Sequence, residues 1–445
     1  MENSLKLGWP WILFISVSVL IAGILYIYTT SILTVVIVAL PIVILILKDP
    51  KWGVAIAISM QSWDQILNPS EETGYENISA GRIVTVISIL SYIIYLIRRK
   101  ARLQSPNRAI TIFIVFILWC FVSLIWTPNP LRAVLEIVKL TIQLCFLYVG
   151  IELFQNRRAV IQLFGVIVVF TLTSSVYTTF VESEIVREDS AGRLLLQTIG
   201  INSLAIQFGF GILSAIAYLV LGKSKRMKIV TLFCIVAIAV GTMKTGTRAV
   251  FIGIPLSLIG AAIITYKRNK KSYLMRTALI LVVLSGAYLF ATERGIVKEE
   301  VSERLMSTMD NDIYTSNIRI ELLRQGMIYY LNNPLGSGIG AEEVAYTKST
   351  QNESHNTFLS VLIQVNIVGL LIFIGVFIVE GITILRIKDN AWRFVAVAMM
   401  IFLLIQMLKG SLLVARVFWF PLLLISIITE AKNTTEEKIE RNQCI

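Results

Sequence analysis

His355 is the single histidine of this 445-residue chain. It sits in Glu353-Ser354-His355-Asn356-Thr357-Phe358-Leu359, where a polar stretch gives way to a long apolar run. A neutral imidazole is the usual side-chain proton acceptor near pH 7. A histidine at the water-facing lip of an apolar segment is therefore a candidate base, and Glu353, two residues earlier, is a second group suited to proton transfer. The other informative side chains are cationic. Arg248 opens an apolar run after Thr245-Gly246-Thr247, Arg193 precedes another such run, Arg319 and Arg324 lie on an amphipathic stretch, and Lys409 and Arg416 flank and enter the last run. A guanidinium presents a rigid fork to phosphate oxygens and stays charged, so arginines gathered at one face of an apolar body suit a diphosphate. Snorkelling to lipid headgroups is the competing account. It weighs most for Lys409, less for Arg416, and least for Arg248 beside its glycine-threonine turn.

The elements that must position these groups are membrane spans. The chain is 56% hydrophobic and 15% charged, with mean hydropathy +0.77, whereas soluble domains carry about 25% charged residues. Repeated long apolar runs are the signature of spanning helices, and the fold class read from them is all-α, a polytopic helical bundle of about 12–14 spans. Fourteen segments stand out, near 10–28, 32–47, 53–63, 79–97, 109–126, 132–153, 158–180, 201–221, 228–244, 248–266, 275–291, 357–384, 391–408 and 412–428. The third is short enough to be re-entrant. The first is longer than the core of a secretory signal and lacks a small-residue cleavage site after it, so it reads as a span. The net charge of +12 does not imply nucleic acid, because the basic residues cluster in short loops. Arg98-Arg99-Lys100-Ala101-Arg102, Arg157-Arg158, Lys223-Ser224-Lys225-Arg226 and Lys267-Arg268-Asn269-Lys270-Lys271 are then cytoplasmic by the positive-inside rule.

That alternation puts both termini inside and the one large hydrophilic region outside. The expected organisation is spans over 1–291, an extracytoplasmic loop over 292–356, three terminal spans over 357–428 and a cytoplasmic tail over 429–445. The loop should hold an amphipathic helix near Asn317–Leu331, with Ile318, Leu322, Met327 and Tyr330 on its apolar side. Asn333-Pro334 ends it, and Gly336-Ser337-Gly338-Ile339-Gly340 makes a tight turn that permits close backbone approach. That glycine run imitates a dinucleotide loop without the strand and helix such a loop needs. Asp310-Asn311-Asp312 imitates a metal-holding acidic pair but reads as solvated loop. Cys120, Cys145 and Cys234 lie in apolar runs and Cys444 in the tail, which offers neither a disulfide framework nor zinc spacing.

Three blocks resemble the O-antigen ligase and O-antigen polymerase superfamily. They are Arg319-Ile320-Glu321-Leu322-Leu323 with Asn333-Pro334-Leu335-Gly336-Ser337-Gly338-Ile339-Gly340, then Ser354-His355-Asn356-Thr357-Phe358-Leu359, and Val365-Asn366-Ile367-Val368-Gly369-Leu370. Thr245-Gly246-Thr247-Arg248 is similar to the family's arginine-bearing span start, and Gly200-Ile201-Asn202-Ser203-Leu204-Ala205 is a looser match to its asparagine-bearing one. The resemblance implies a membrane glycosyltransferase at the outer face of a bacterial cytoplasmic membrane. Its donor would be an undecaprenyl-diphosphate-linked oligosaccharide and its acceptor a sugar hydroxyl of a second glycan. It would use no metal and no cofactor. On this reading Arg248 and Arg319, with Arg193, Arg324 and Arg416 as further candidates, address the diphosphate. His355 serves the acceptor hydroxyl with Glu353 as the alternative base, and Asn202 and Asn356 are additional site candidates. Membrane lipids, a flippase and a chain-length regulator are the partners implied; nucleic acid is not. A count of about fourteen spans, against about twelve common in the ligases, favours repeat-unit polymerisation over ligation to a different acceptor. A lipid-linked glycan flippase and an envelope scaffold are the rivals outside catalysis. A transporter should show basic residues in mid-span as well as at one face, and a scaffold should tolerate substitution of His355.

The topology is directly testable. Single cysteines at positions 307 and 272, in a chain without its native cysteines, should label oppositely with a membrane-impermeant thiol reagent added outside. Position 307 should react and position 272 should not; external labelling of 272 overturns the topology.

Overall fold

The computed structural model describes residues 32–67, 79–100, 103–181, 186–188, 194–196, 201–265, 270–298, 301–302, 305, 313–346 and 354–431. The helices are α1 (Ile32–Lys48), α2 (Pro50–Ser59), α3 (Gln61–Leu67), α4 (Ala80–Arg99), α5 (Arg108–Val122), α6 (Pro130–Leu153), α7 (Arg157–Phe180), α8 (Ile201–Leu221), α9 (Lys225–Lys244), α10 (Arg248–Thr265), α11 (Lys270–Glu293), α12 (Ile313–Asn332), α13 (Thr357–Arg386), α14 (Asn390–Met407) and α15 (Arg416–Glu430). Nine helices among the described residues are long and apolar enough to cross a membrane. The chain is thus an all-α, multi-pass membrane protein, with one short antiparallel hairpin, β1 (Val186–Glu188) with β2 (Leu194–Leu196), beside the helices. Of the other expected segments, 32–47 and 412–428 fall on the shorter helices α1 and α15, 275–291 falls within α11, and 10–28 lies outside the described residues. Segment 53–63 becomes two helices, α2 and α3. The ten residues of α2 span about 15 Å, half a hydrocarbon core, and nearly all of them are buried.

The chain divides into two compact units, one made of residues Met1–Leu103, Val149–Leu305 and Glu430–Ile445, the other of Gln104–Tyr148 and Met306–Thr429. In the first, α7, α8 and α9 pack through small residues. A Cβ on Gly211 would collide with Thr171, and one on Gly241 with Ser175. Between membrane helices, close approach of this kind replaces the hydrophobic drive that water supplies elsewhere. Side-chain caps start the helices, as when Asn107 Oδ1 accepts from Ile110 N at α5 and Asn156 Oδ1 from Arg158 N at α7.

The second unit is built on α5 against α13 through an aromatic core. Phe113 and Trp419 have ring centroids 4.8 Å apart, Phe373 and Phe377 5.2 Å, and Phe116 and Phe373 5.3 Å. Here α13 is broken. Val365 (φ −122°, ψ 21°) and Asn366 (φ 58°, ψ −172°) leave the helix, which frees carbonyls inside an apolar layer where each unpaired backbone group is costly. The glycine turn satisfies them. Ser337 N donates to Ile363 O (2.8 Å), Gly338 N donates to Gln364 O (2.9 Å), and the indole of Trp119 donates to Val365 O (2.9 Å). Asn366 Oδ1 accepts from Val368 N (2.9 Å) and restarts the helix. Gly336, Gly338 and Gly340 all have φ near +80°, and a Cβ on Gly336 would lie 2.6 Å from Ile363 O. The expected close approach is therefore realised against a broken span.

The loop helix runs over Ile313–Asn332, slightly longer than expected, and stops at Asn333 as expected. Its buried side is Leu322 with Tyr329 and Tyr330, packed on Tyr346, Leu359, Leu362 and Ile363. Met327, expected on that side, is exposed. Gly326 takes the contact position instead, because only a residue without a side chain admits the Tyr346 hydroxyl, 2.6 Å from where its Cβ would be.

Gly338→Ala should destabilise the protein by about 1–3 kcal/mol, since it adds left-handed strain to an overlap with Thr127. Gly286→Ala, with nothing within 4 Å of its Cβ, should be neutral or slightly stabilising. Thermal unfolding in detergent measures both; equal behaviour of the two variants overturns the docking role of the turn.

Candidate functional site

His355 has a left-handed backbone, φ 50°, which costs an L-residue roughly 1–2 kcal/mol. Its neighbours hold it there. On one side Ser354 N donates to Glu342 Oε1 (2.8 Å) and Ser354 Oγ donates to Asn356 O (2.9 Å). On the other, Asn356 Oδ1 accepts from Phe358 N (3.0 Å) and Leu359 N (3.1 Å) as the cap of α13. Thr357 Oγ1 then donates to Gly410 O (2.5 Å) and accepts from Leu412 N (3.1 Å), tying the start of α13 to the segment between α14 and α15. The imidazole is half-buried at the end of this braced turn.

Glu342 is the residue that sequence reasoning missed. It lies in the 3-10 turn Glu342–Tyr346 and is buried. Besides Ser354 N, its carboxylate accepts from Ser360 Oγ, from Gln364 Nε2 (3.3 Å) and from Ser411 Oγ (3.1 Å). Gln364 Oε1 in turn accepts from Gly340 N (2.7 Å). One carboxylate thus joins the loop, α13 and the segment after α14. A glutamate just after a glycine turn looks solvated in a sequence, and only the hydroxyl and amide donors spaced at Ser360, Gln364 and Ser411 hint at a shared acceptor.

The electrostatics of His355 follow from this placement. Burial is the largest effect and lowers its proton affinity; the positive charge of Arg319 on α12 lowers it further, and the negative charge of Glu342 raises it. The balance falls below the ordinary imidazole value of about 6.5, so the ring is mainly neutral at pH 7 and can accept a proton. Burial, then Glu342, pushes the phenol of Tyr346 well above the usual tyrosine range.

Of the other expected site residues, Arg319 and Arg324 are both exposed on α12, and Arg324 Nε lies 3.4 Å from Glu321 Oε2. Arg416 is the first residue of α15 rather than four residues inside a span, because the segment after Met407 stays non-helical until that point. Glu353, Arg193 and Asp310-Asn311-Asp312 lie outside the described residues. In the first unit, the turn before α10 places half-buried Arg248 at the helix start. Gly246 there has φ 61°, and Thr247 Oγ1 donates to Asn202 Oδ1 (3.5 Å) at the start of α8. Asn202 and the arginine-bearing turn, read separately in the sequence, are thus brought together. Lys244, also missed, reaches Thr179 O (2.9 Å) from the end of α9. Among the described residues no group of three His, Cys, Asp or Glu side chains converges as a metal ion would need.

Residues 233–374 match the family model described as O-antigen ligase. The match takes in Arg248, Arg319, Glu342, His355 and the break at Asn366, and bears out the resemblance read from the sequence. No curated protein matches the chain.

The single histidine gives a single imidazole signal, so selective histidine labelling and NMR in detergent can follow its titration. The midpoint should lie below about 6.5. Arg319→Gln removes a repelling charge and should raise it; Glu342→Gln removes an attracting charge and should lower it. A wild-type midpoint above the ordinary value, or shifts of opposite sign, overturns this account.

Proposed function

With an O-antigen ligase-type domain over residues 233–374 as premise, we propose that this membrane glycosyltransferase polymerises repeat units of a surface polysaccharide such as an O-antigen, capsule or exopolysaccharide. It works at the outer face of the bacterial cytoplasmic membrane. The observation that carries this reading is the braced left-handed turn holding His355, half-buried, with its proton affinity lowered by burial and Arg319.

The reaction moves a glycan from undecaprenyl diphosphate to a sugar hydroxyl on the next lipid-linked unit. The hydroxyl is a weak nucleophile. His355 takes its proton as the oxygen forms a bond to the anomeric carbon, while the bond from that carbon to the diphosphate oxygen breaks and the electron pair leaves with the diphosphate. Attack opposite the leaving group inverts the anomeric centre. The growing charge on the diphosphate falls to Arg248 and Arg319, since preorganised cations are worth most where charge develops away from water. Arg324, Arg416 and Arg193 are further candidates for that role, and Asn202 and Asn356 position Arg248 and His355 through the turns they brace. Arginine holds the diphosphate without a metal ion. Ligation of a finished glycan to a different acceptor uses the same steps, so product analysis decides between the two: purified protein in liposomes with a lipid-linked oligosaccharide gives a ladder if it polymerises and a single transfer product if it ligates.

His355→Ala should cut turnover by about 10²–10⁴ while donor binding persists. Arg248→Ala and Arg319→Ala should weaken donor binding and slow transfer, and Arg→Lys should restore only part, lysine being a point charge without the fork. The assay is polymer formed per correctly inserted protein. Wild-type turnover by His355→Ala refutes the general-base role and moves attention to Glu353.

A further inference from the structure

The second unit carries a polar stripe that the site above does not use. Arg132, Glu136, Lys139 and Gln143 follow one another along α6 at spacings of four, three and four. At about 100° per residue these positions fall within about 60° of one another on the helix surface. The exposed apolar residues of the same helix, Leu131, Val134, Leu135 and Val138, centre about 120° away from the stripe. The packed face of Ala133, Ile137, Leu140 and Leu144 lies on its other side. The stripe therefore runs along the flank between the lipid-facing and the packed surfaces. It descends about 16 Å along the helix from Arg132 to Gln143, roughly half of a hydrocarbon core.

Its upper end meets the loop that carries the candidate site. Arg132 Nη1 lies 2.5 Å from Glu343 Oε1, one residue from Glu342. Gly340 backs onto Glu136, where a Cβ would come within 3.2 Å of Glu136 Cγ. Lower down, Lys139 Nζ pairs with Glu136 Oε1 (3.0 Å) and remains one-third exposed. Two oxygens are left over: Glu136 Oε2 and Gln143 Oε1 are both buried and have no hydrogen-bond partner among the described residues. Snorkelling accounts for Lys139 alone, because side chains lean toward the helix N-terminus. It accounts for neither oxygen, nor for Gln143, buried and farthest from water. Ionisable and amide groups at such depth face the bundle interior or a water-filled cavity, and each buried acceptor calls for a donor.

We infer that this stripe is a binding subsite for the sugar part of a lipid-linked glycan, with Glu136 Oε2 and Gln143 Oε1 accepting from sugar hydroxyls and Lys139 donating to a ring or hydroxyl oxygen. Sugar hydroxyls are the donors that both orphaned acceptors need, and a headgroup held there lies alongside the loop that carries His355. The ligand class rests on the glycosyltransferase reading; the wetness of the stripe does not.

The test uses the full chain in proteoliposomes with its native cysteines replaced. Single cysteines at 136, 139 and 143 should react with an impermeant methanethiosulfonate reagent from outside, and those at 135 and 138 should not. Undecaprenyl-diphosphate oligosaccharide prepared from the native host should protect 139 and 143, and sugar-free undecaprenyl diphosphate should not. Lys139→Met and Gln143→Leu should raise KM for the oligosaccharide on the order of tenfold with little change in kcat. Unreactive cysteines at 139 and 143, equal protection by the sugar-free lipid, or a fall in kcat at unchanged KM would each overturn the subsite. Failure of the wild type to transfer glycan would instead overturn the catalytic reading, and labelling with sugar-dependent protection would still stand.

Discussion

The freed carbonyls of Ile363, Gln364 and Val365 govern the second unit. In a layer without water, a helix can break only where other donors take over its unpaired groups. Ser337 N, Gly338 N and the Trp119 indole supply them, and the loop can come this close only because glycines stand at 336 and 338. The consequences run outward from that contact. Docking the turn at the break fixes Gly340, whose amide binds Gln364. Two residues on, Glu342 meets Ser360 and Gln364 on the same half-helix. Glu342 in turn fixes Ser354 N and hence the turn that presents His355. A break in one span thus sets the position of a side chain at its mouth.

The same arrangement sets the charge balance. A half-buried imidazole between Arg319 and Glu342 responds to both, and its burial tips it toward the neutral form. The hydrogen bonds from Ser354 N, Ser360, Gln364 and Ser411 give the Glu342 carboxylate partners in place of lost water. Both charges act on the protonated imidazolium, Arg319 against it and Glu342 in its favour, and burial adds to Arg319, so the neutral ring is favoured.

The long apolar helices were legible in the sequence because each depends on local composition. The run 201–221 and helix Ile201–Leu221 coincide, and Asn333-Pro334 stops the loop helix as read. The resemblance drew attention to Arg248, Arg319 and His355, and the structure braces His355 and places Arg248 at a helix start. What stayed hidden depends on contacts between distant segments. The break at Val365-Asn366 lies inside a long, mostly apolar run, where Gln364 and Asn366 alone do not reveal it, since it is stabilised by a turn about thirty residues earlier. Glu342 reads as loop until Ser354, Ser360, Gln364 and Ser411 are seen around it. Met327 was misplaced because an apolar helix with two apolar sides gives no clear period, and a glycine, not a large residue, marks its contact face.

The polar stripe on α6 bears on the choice between a transferase and a transporter. A flippase needs a polar path through the whole apolar layer, so a lysine in mid-span at first favours it. Lys139, however, is paired with Glu136, and the stripe does not continue. Below Gln143 the same flank of α6 carries Phe146 and Leu147, both buried, with Phe146 packed 5.3 Å from the ring of Phe420. A sugar headgroup entering from the outer side would be stopped there by close-packed aromatic side chains. Opening such a seal would require separating α6 from α15 through the aromatic core that also holds the broken half of α13, and with it the turn that holds His355. Closed below Gln143 by packed aromatic side chains, this flank of α6 offers no continuous polar path across the apolar layer, which a transporter would need.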